Sequence, residues 1–151
     1  VGDVLGHSML TPVAIKAGRS VADREFGNRE SPIRYETIPT AIFSHPPVGT
    51  VGLSQAEAVT QYGEKEVRVY QAAFNSLLYS PCKPEEKIQT FMKLVVRAST
   101  DQVLGFHMVG DDAPEIIQGF AAALMAGITK TQLDSTIAIH PSAAEEFVLM
   151  G

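Results

Sequence analysis

Apolar positions along the chain fall into two periods. From Thr40 onward, short apolar and β-branched runs recur at Thr40 to Ser44, Thr50 to Leu53, Val67 to Ala73, Thr90 to Val96 and Val103 to Val109. Each is bounded by turn residues such as Pro46-Pro47 and Gly63, so the pattern predicts five strands. Elsewhere the period is helical. Thr11-Pro12 opens a stretch with Val13, Ala14, Ala17, Val21 and Ala22 on one face to about Phe26, and Gly27-Asn28 closes it. Behind Pro114, the spacing of Ile116, Ile117, Phe120, Ala121, Leu124 and Met125 predicts a longer helix to Gly127. Shorter helices are predicted from Ser54 to about Tyr62, Thr129 to Leu133 and Ser142 to Met150. The first of these carries Glu57 three residues after Ser54, the spacing of a capping box.

Strands in sequence followed by helices predict an α+β fold, an antiparallel sheet covered by helices. The polar run from Arg29 to Tyr35 reads as a connection. A boundary is therefore expected near Ser31 to Arg34, with residues 1–32 in one unit and 33–151 in another. The chain opens at Val1-Gly2-Asp3, without Met, with an apolar residue running into a Gly-Asp turn as a cut strand would. We expect a fragment of a longer protein.

Composition narrows the partners. Twelve Lys and Arg against seventeen Asp and Glu leave a net charge of -5, which argues against nucleic acid or an anionic membrane. No apolar run approaches the roughly 18 residues of a membrane span, and no signal-peptide pattern opens the chain, so a cytoplasmic location is expected. The single cysteine, Cys82, leaves no intrachain disulfide, and no Cys/His spacing suggests a metal site.

Candidate chemistry gathers in Ile137 to Gly151, IAIHPSAAEEFVLMG, where an apolar approach delivers His140 just before Pro141. Glu145, five residues on, is placed to fix the imidazole tautomer and to favour its protonated form, which makes His140 a general acid–base candidate. Ser142-x-x-Glu145 is equally a capping box, in which Glu145 serves only the backbone. Spacing leaves both readings open.

Four runs then carry a resemblance: TPVAIKAGR at Thr11 to Arg19, IPTAIFSHPPVGTVGLSQAEA at Ile38 to Ala58, QGFAAAL at Gln118 to Leu124, and AIHPSAAEE at Ala138 to Glu146. In that order and at those separations they resemble the C-terminal part of the flavoprotein disulfide reductases, most closely the branch that reduces glutathione disulfide. The resemblance implies that Val1 to about Glu30 is the closing strand and helix of an FAD-binding domain. The remainder would be the interface domain through which two identical subunits pair. In that family electrons pass from NADPH through FAD to a redox-active cysteine pair, which reduces the substrate. Cys82 does not match that pair, and the Gly-rich dinucleotide loops are not in this sequence, so no turnover is expected of this piece alone.

Carried over residue by residue, the resemblance places Asp3 on a ribityl hydroxyl of FAD and the Thr11 amide, at a helix start, against the flavin carbonyl. It places Met9 and Ala41 near the nicotinamide. His140 becomes the acid–base group that reaches the cysteine pair of the other subunit, beside the cofactor site, and Glu145 the carboxylate that orients it. Arg19 would pair with a glycine carboxylate of glutathione, Glu146 would bind the other end of the peptide, and Leu77 would make a further contact. Each has a plainer reading: a turn for Asp3, an N-cap for Thr11, a solvated helix face for Arg19, an incidental thiol for Cys82. The loop Phe74 to Tyr79 departs from the usual Phe, Thr, small residue or Pro, then Met. That departure leaves trypanothione or another glutathione derivative open as substrate. Dihydrolipoamide dehydrogenases and the larger thioredoxin reductases fit the local pattern less well. A reading of another class is a non-catalytic dimerisation module, in which AIHPSAAEE has only a capping role.

Overall fold

The computed structural model describes residues 1–30 and 32–151; Ser31, where the expected boundary begins, lies outside the described residues. The chain divides into two compact units, Val1–Ile38 and Pro39–Gly151. The division falls C-terminal to the expected 32/33 boundary, so the short 3-10 turn Tyr35–Thr37 stays with the first unit.

In the first unit the expected opening strand is a 3-10 turn, Gly2–Leu5, followed by helix α1, Thr11–Phe26. A strand needs a neighbour to take its N–H and C=O groups, and the described residues of this unit offer none. The local sequence turns instead: Gly2 and Gly6 take φ of 77° and 69°, which an ordinary side chain disfavours. Helix α1 starts from Leu10 with Pro12 in its first turn and no side chain capping it, and it closes where the Gly27 N–H donates to the Asp23 carbonyl.

The second unit holds β1 Thr40–Ile42, β2 Val48–Gly52, α2 Gln55–Tyr62, β3 Val67–Asn75, β4 Gln89–Arg97, β5 Val103–Val109, α3 Ala113–Met125, α4 Lys130–Asp134 and α5 Glu146–Leu149. The strands form one sheet in the order β1-β2-β5-β4-β3, every pair antiparallel. The α+β arrangement expected from the sequence is the one found. The apolar stripe of α3, Ala113, Ile117, Ala121 and Leu124, joins Met92, Leu94, Phe106 and Met108 in one buried core. Helix α2 packs against β3 and β4, and its Ser54–Glu57 capping box is closed in both directions, at 2.9 and 3.3 Å. Helices at both faces explain why Leu94-Val95-Val96 is continuously apolar rather than alternating, since all three are buried.

Two contacts fix the C-terminal segment. Phe147 of α5 meets Phe106 edge-on at 5.3 Å and Phe120 at 4.8 Å, inside the core. Lys130 of α4 is buried, ion-paired with Asp134 and lying over the Tyr70 ring at 4.6 Å. The last helix is shorter than the expected Ser142 to Met150, because residues 142–145 form a turn closed by their own side chains. Among the described residues no helix is long and apolar enough to cross a membrane.

Candidate active site

The site is built backward from Phe147. That ring has no exposed surface, so the short α5 is held to the core, and with it Glu145, two residues earlier. Ser142 N–H donates to Glu145 Oε1 at 3.2 Å, and Glu145 N–H donates to Ser142 Oγ at the same distance. The two reciprocal bonds of a capping box are therefore present, closing the turn before α5, whose own N-cap is Glu145 without a side-chain cap. So is the other contact: His140 Nδ1 lies 3.1 Å from both Oε1 and Oε2 of Glu145. The two readings of the spacing coexist in one carboxylate.

This geometry assigns the tautomer. A carboxylate only accepts, so Nδ1 carries the hydrogen, and Nε2 is left with no partner among the described residues. The histidine side chain is 76% exposed and the glutamate only 11%, so the carboxylate is shielded while most of the imidazole is exposed. The peptide between His140 and Pro141 is cis.

His140 opens onto a cavity of about 460 Å³. Leu77 and Leu78, from the turn after β3, line it together with His140, Ser142, Glu145 and Glu146. No Lys or Arg lines it, so its charge comes from carboxylates and the imidazole. The approach to it along the chain is apolar and bare, with Ile137 94% and Ile139 79% exposed.

Of the residues singled out from the sequence, the structure brings His140, Glu145, Glu146 and Leu77 together around this one cavity. Asp3, Met9, Thr11 and Arg19 belong to the first unit. Asp3 lies within the opening turn, where its carbonyl accepts from Gly6 N–H at 3.0 Å and its side chain is exposed. Met9 is exposed, Thr11 is the first residue of α1, and Arg19 stands on an exposed face of that helix. Ala41, opposite Gly49 in β1, does not line the cavity. Sequence reasoning missed Leu78 and Ser142 as lining residues. It also missed the hydrogen bond between Tyr79 and Asp111 beside the cavity wall, which no local spacing announces.

Residues 38–150 match the family model described as pyridine nucleotide-disulphide oxidoreductase, dimerisation domain. A glutathione reductase of Schizosaccharomyces pombe is 46% identical over 151 residues, covering 99% of this chain and 32% of that protein. A glutathione reductase of Nostoc sp. is 51% identical over 150 residues, again 99% of this chain and 32% of the relative. The chain thus spans about a third of the length of the curated relatives it matches.

Proposed function

Because the chain belongs to the dimerisation-domain family of the pyridine nucleotide-disulphide oxidoreductases, we propose that it is the C-terminal part of an NADPH-dependent flavoprotein that reduces glutathione disulfide, with His140 as its acid–base group. The observation that carries this reading is the His140–Glu145 pair, Nδ1 held at 3.1 Å by both carboxylate oxygens. A purely architectural Glu145 would need only the oxygen that meets the Ser142 amide; Oε2, turned to the imidazole, has no use in a cap.

Disulfide reduction needs such a group. A thiolate attacks one sulfur, the S–S bond breaks, and its electron pair departs on the other sulfur as a second thiolate. A proton from His140 Nε2 converts that poor leaving group to a thiol. Before the attack, Nε2 takes the proton of the attacking thiol, and the imidazolium so formed stabilises the resulting thiolate. Cys82 does not line the cavity, and the family resemblance puts the attacking pair on the partner subunit of a homodimer. The bare Ile137 and Ile139 beside His140 suit a surface that a second copy covers.

The residues present fit the cofactors. No side chain caps α1, which leaves the Thr11 amide and the positive end of the helix dipole for a flavin carbonyl. Exposed Asp3 suits a ribityl hydroxyl, and Met9 and Ala41 are assigned beside the nicotinamide, near which His140 would also lie. The chemistry that FAD and NADPH would supply is the electron pair that returns the cysteine pair to its dithiol form after each turnover. For the substrate, Leu77 offers an apolar wall, Glu146 a carboxylate for an ammonium, and Arg19 a planar fork for a carboxylate; glutathione carries both charges. Maintaining reduced glutathione is cytoplasmic chemistry, and the cytoplasm is the compartment we assign.

The test is His140→Gln in the full-length protein. Flavin content and reduction of the enzyme by NADPH stay near wild type, while turnover of glutathione disulfide falls about 10²- to 10⁴-fold. Near-normal turnover would defeat the assignment.

A further inference from the structure

Tyr79 ends the 3-10 turn Leu77–Tyr79, which brings the two leucines to the cavity. Little else holds that turn. Leu77 and Leu78 are 59% and 72% exposed, so burial does not seat them. The turn's backbone bonds stay within its own loop: Tyr79 N–H to Ser76 O and Ser80 N–H to Leu77 O, both 2.9 Å, and Cys82 N–H to Tyr79 O at 3.1 Å. The Ser76 side chain, accepting from Leu78 N–H at 3.3 Å, is internal too. Such bonds give a turn its shape without fixing its place.

Among the described residues, the bond that leaves the turn is the Tyr79 phenol donating to Asp111 Oδ2, at 2.5 Å. Its far end is firm. Asp111 lies in the connection from β5 to α3, next to Gly110, whose φ of 151° and close approach to buried Thr90 leave no room for a side chain; a Cβ there would fall 2.6 Å from Thr90 Oγ1. Gly110 N–H also donates to Pro47 O at 3.0 Å, which ties the connection to the start of β2. Neither Tyr79 nor Asp111 lines the cavity.

Resting on the reading of that cavity as a glutathione-disulfide site, we infer that Tyr79 and Asp111 are positioning residues, whose hydrogen bond holds the Leu77–Leu78 wall in place in the cavity it shares with His140. A phenol donating to a carboxylate is a charge-assisted pair, stronger than one between neutral groups. The Asp111 hydrogen bond also pushes the Tyr79 phenol above its ordinary range, so it remains a donor through neutral pH. The pair acts on substrate through Leu77 and Leu78, and its loss loosens binding without touching the acid–base pair.

Tyr79→Phe, which removes one oxygen, tests this in the full-length protein. The KM for glutathione disulfide rises about three- to tenfold while kcat and NADPH reduction of the enzyme hold. The backbone amides of Leu78, Tyr79, Ser80 and Cys82 exchange faster with deuterium, with β4 and β5 unchanged. Asp111→Ala reproduces both effects, Asp111→Asn, which keeps an acceptor, restores part of each, and the double variant adds nothing to either single one. Unchanged exchange in Tyr79→Phe overturns the strut whatever the substrate. Faster exchange with an unchanged KM overturns its role in binding. A wild-type protein that leaves glutathione disulfide intact sinks the proposed reaction instead, and the exchange measurement still decides whether the bond holds the turn.

Discussion

His107 stands inside β5 with both ring nitrogens engaged, whereas His140 stands at the end of a loop with one nitrogen held and the other without a partner among the described residues. At His107, Nε2 is 3.1 Å from the Leu53 carbonyl and Nδ1 2.5 Å from Thr50 Oγ1. The carbonyl only accepts, so Nε2 carries the hydrogen and Nδ1 accepts from the threonine hydroxyl, which leaves a neutral ring with no capacity unused. Burial pushes this imidazole below its ordinary value, and Lys93, paired across the sheet, acts in the same direction against the Leu53 carbonyl and Glu57. The comparison teaches that a histidine built into the sheet differs from one that could serve the proposed acid–base role in whether its second nitrogen is already engaged. A shielded carboxylate holds Nδ1 of His140 and its side chain is largely exposed; two internal partners make His107 part of the sheet.

The largest effects break one side of the contrast at a time. Phe147→Ala removes the ring that seats α5 and should cost about 3–5 kcal/mol in urea unfolding of this chain. In nitrogen NMR, His140 loses its single tautomer as Glu145 loosens, and His107 keeps its own. Equal disturbance of both rings would dissolve the distinction. Gly105→Ala strikes the other side. A Cβ there would fall 2.3 Å from Leu53 O and 2.9 Å from His107 Nε2, between the two ends of their hydrogen bond. A loss of about 1–3 kcal/mol is expected from such overpacking, with the His140–Glu145 pair unaffected; a neutral substitution would show that β2 and β5 yield more readily than their register suggests.

A smaller effect is a pH dependence. A histidine whose folded pKa is depressed binds its proton more readily in the unfolded chain. The stability it contributes is therefore complete above the ordinary value of about 6.5 and is lost as pH falls from there toward the depressed value. Urea midpoints should decline as pH is lowered through that window, and His107→Gln should remove this part of the slope. A slope that survives the substitution would assign it to other groups.

The same contrast separates what the sequence made legible from what it did not. Strand runs, α1, α2 and α3 were readable because period, Pro, Gly and the Ser54–Glu57 box act over a few residues. His140 and Glu145 were readable for the same reason, five positions apart on one turn. His107 was not, because its partners come from β2 and the connection after it, which only the register of Thr50 opposite His107 brings near. Leu77 reached the candidate site through family resemblance, while its wall, Leu78 and the Tyr79–Asp111 bond depend on segments far apart in the chain. The opening strand failed because a strand is a property of a pair.

The smallest effect tests whether the two duties of Glu145 are separable. Ser142 Oγ accepts the Glu145 N–H but does not touch the imidazole, so Ser142→Ala deletes half of the capping box and leaves the carboxylate facing His140. One neutral hydrogen bond on this partly buried turn contributes about 0.5–1.5 kcal/mol, and the remaining Ser142 N–H to Oε1 bond still draws the side chain inward. The chain should lose stability within that range, and the full-length protein should keep its disulfide turnover close to wild type. Glu145→Gln keeps the shape but puts a neutral amide where the carboxylate faces His140 Nδ1, and it should slow turnover more while disturbing stability no further than Ser142→Ala does. If the serine variant instead slows turnover as much as the glutamine variant, the cap and the proposed acid–base pair are one device, and His140 is positioned by the turn as a whole rather than by the carboxylate.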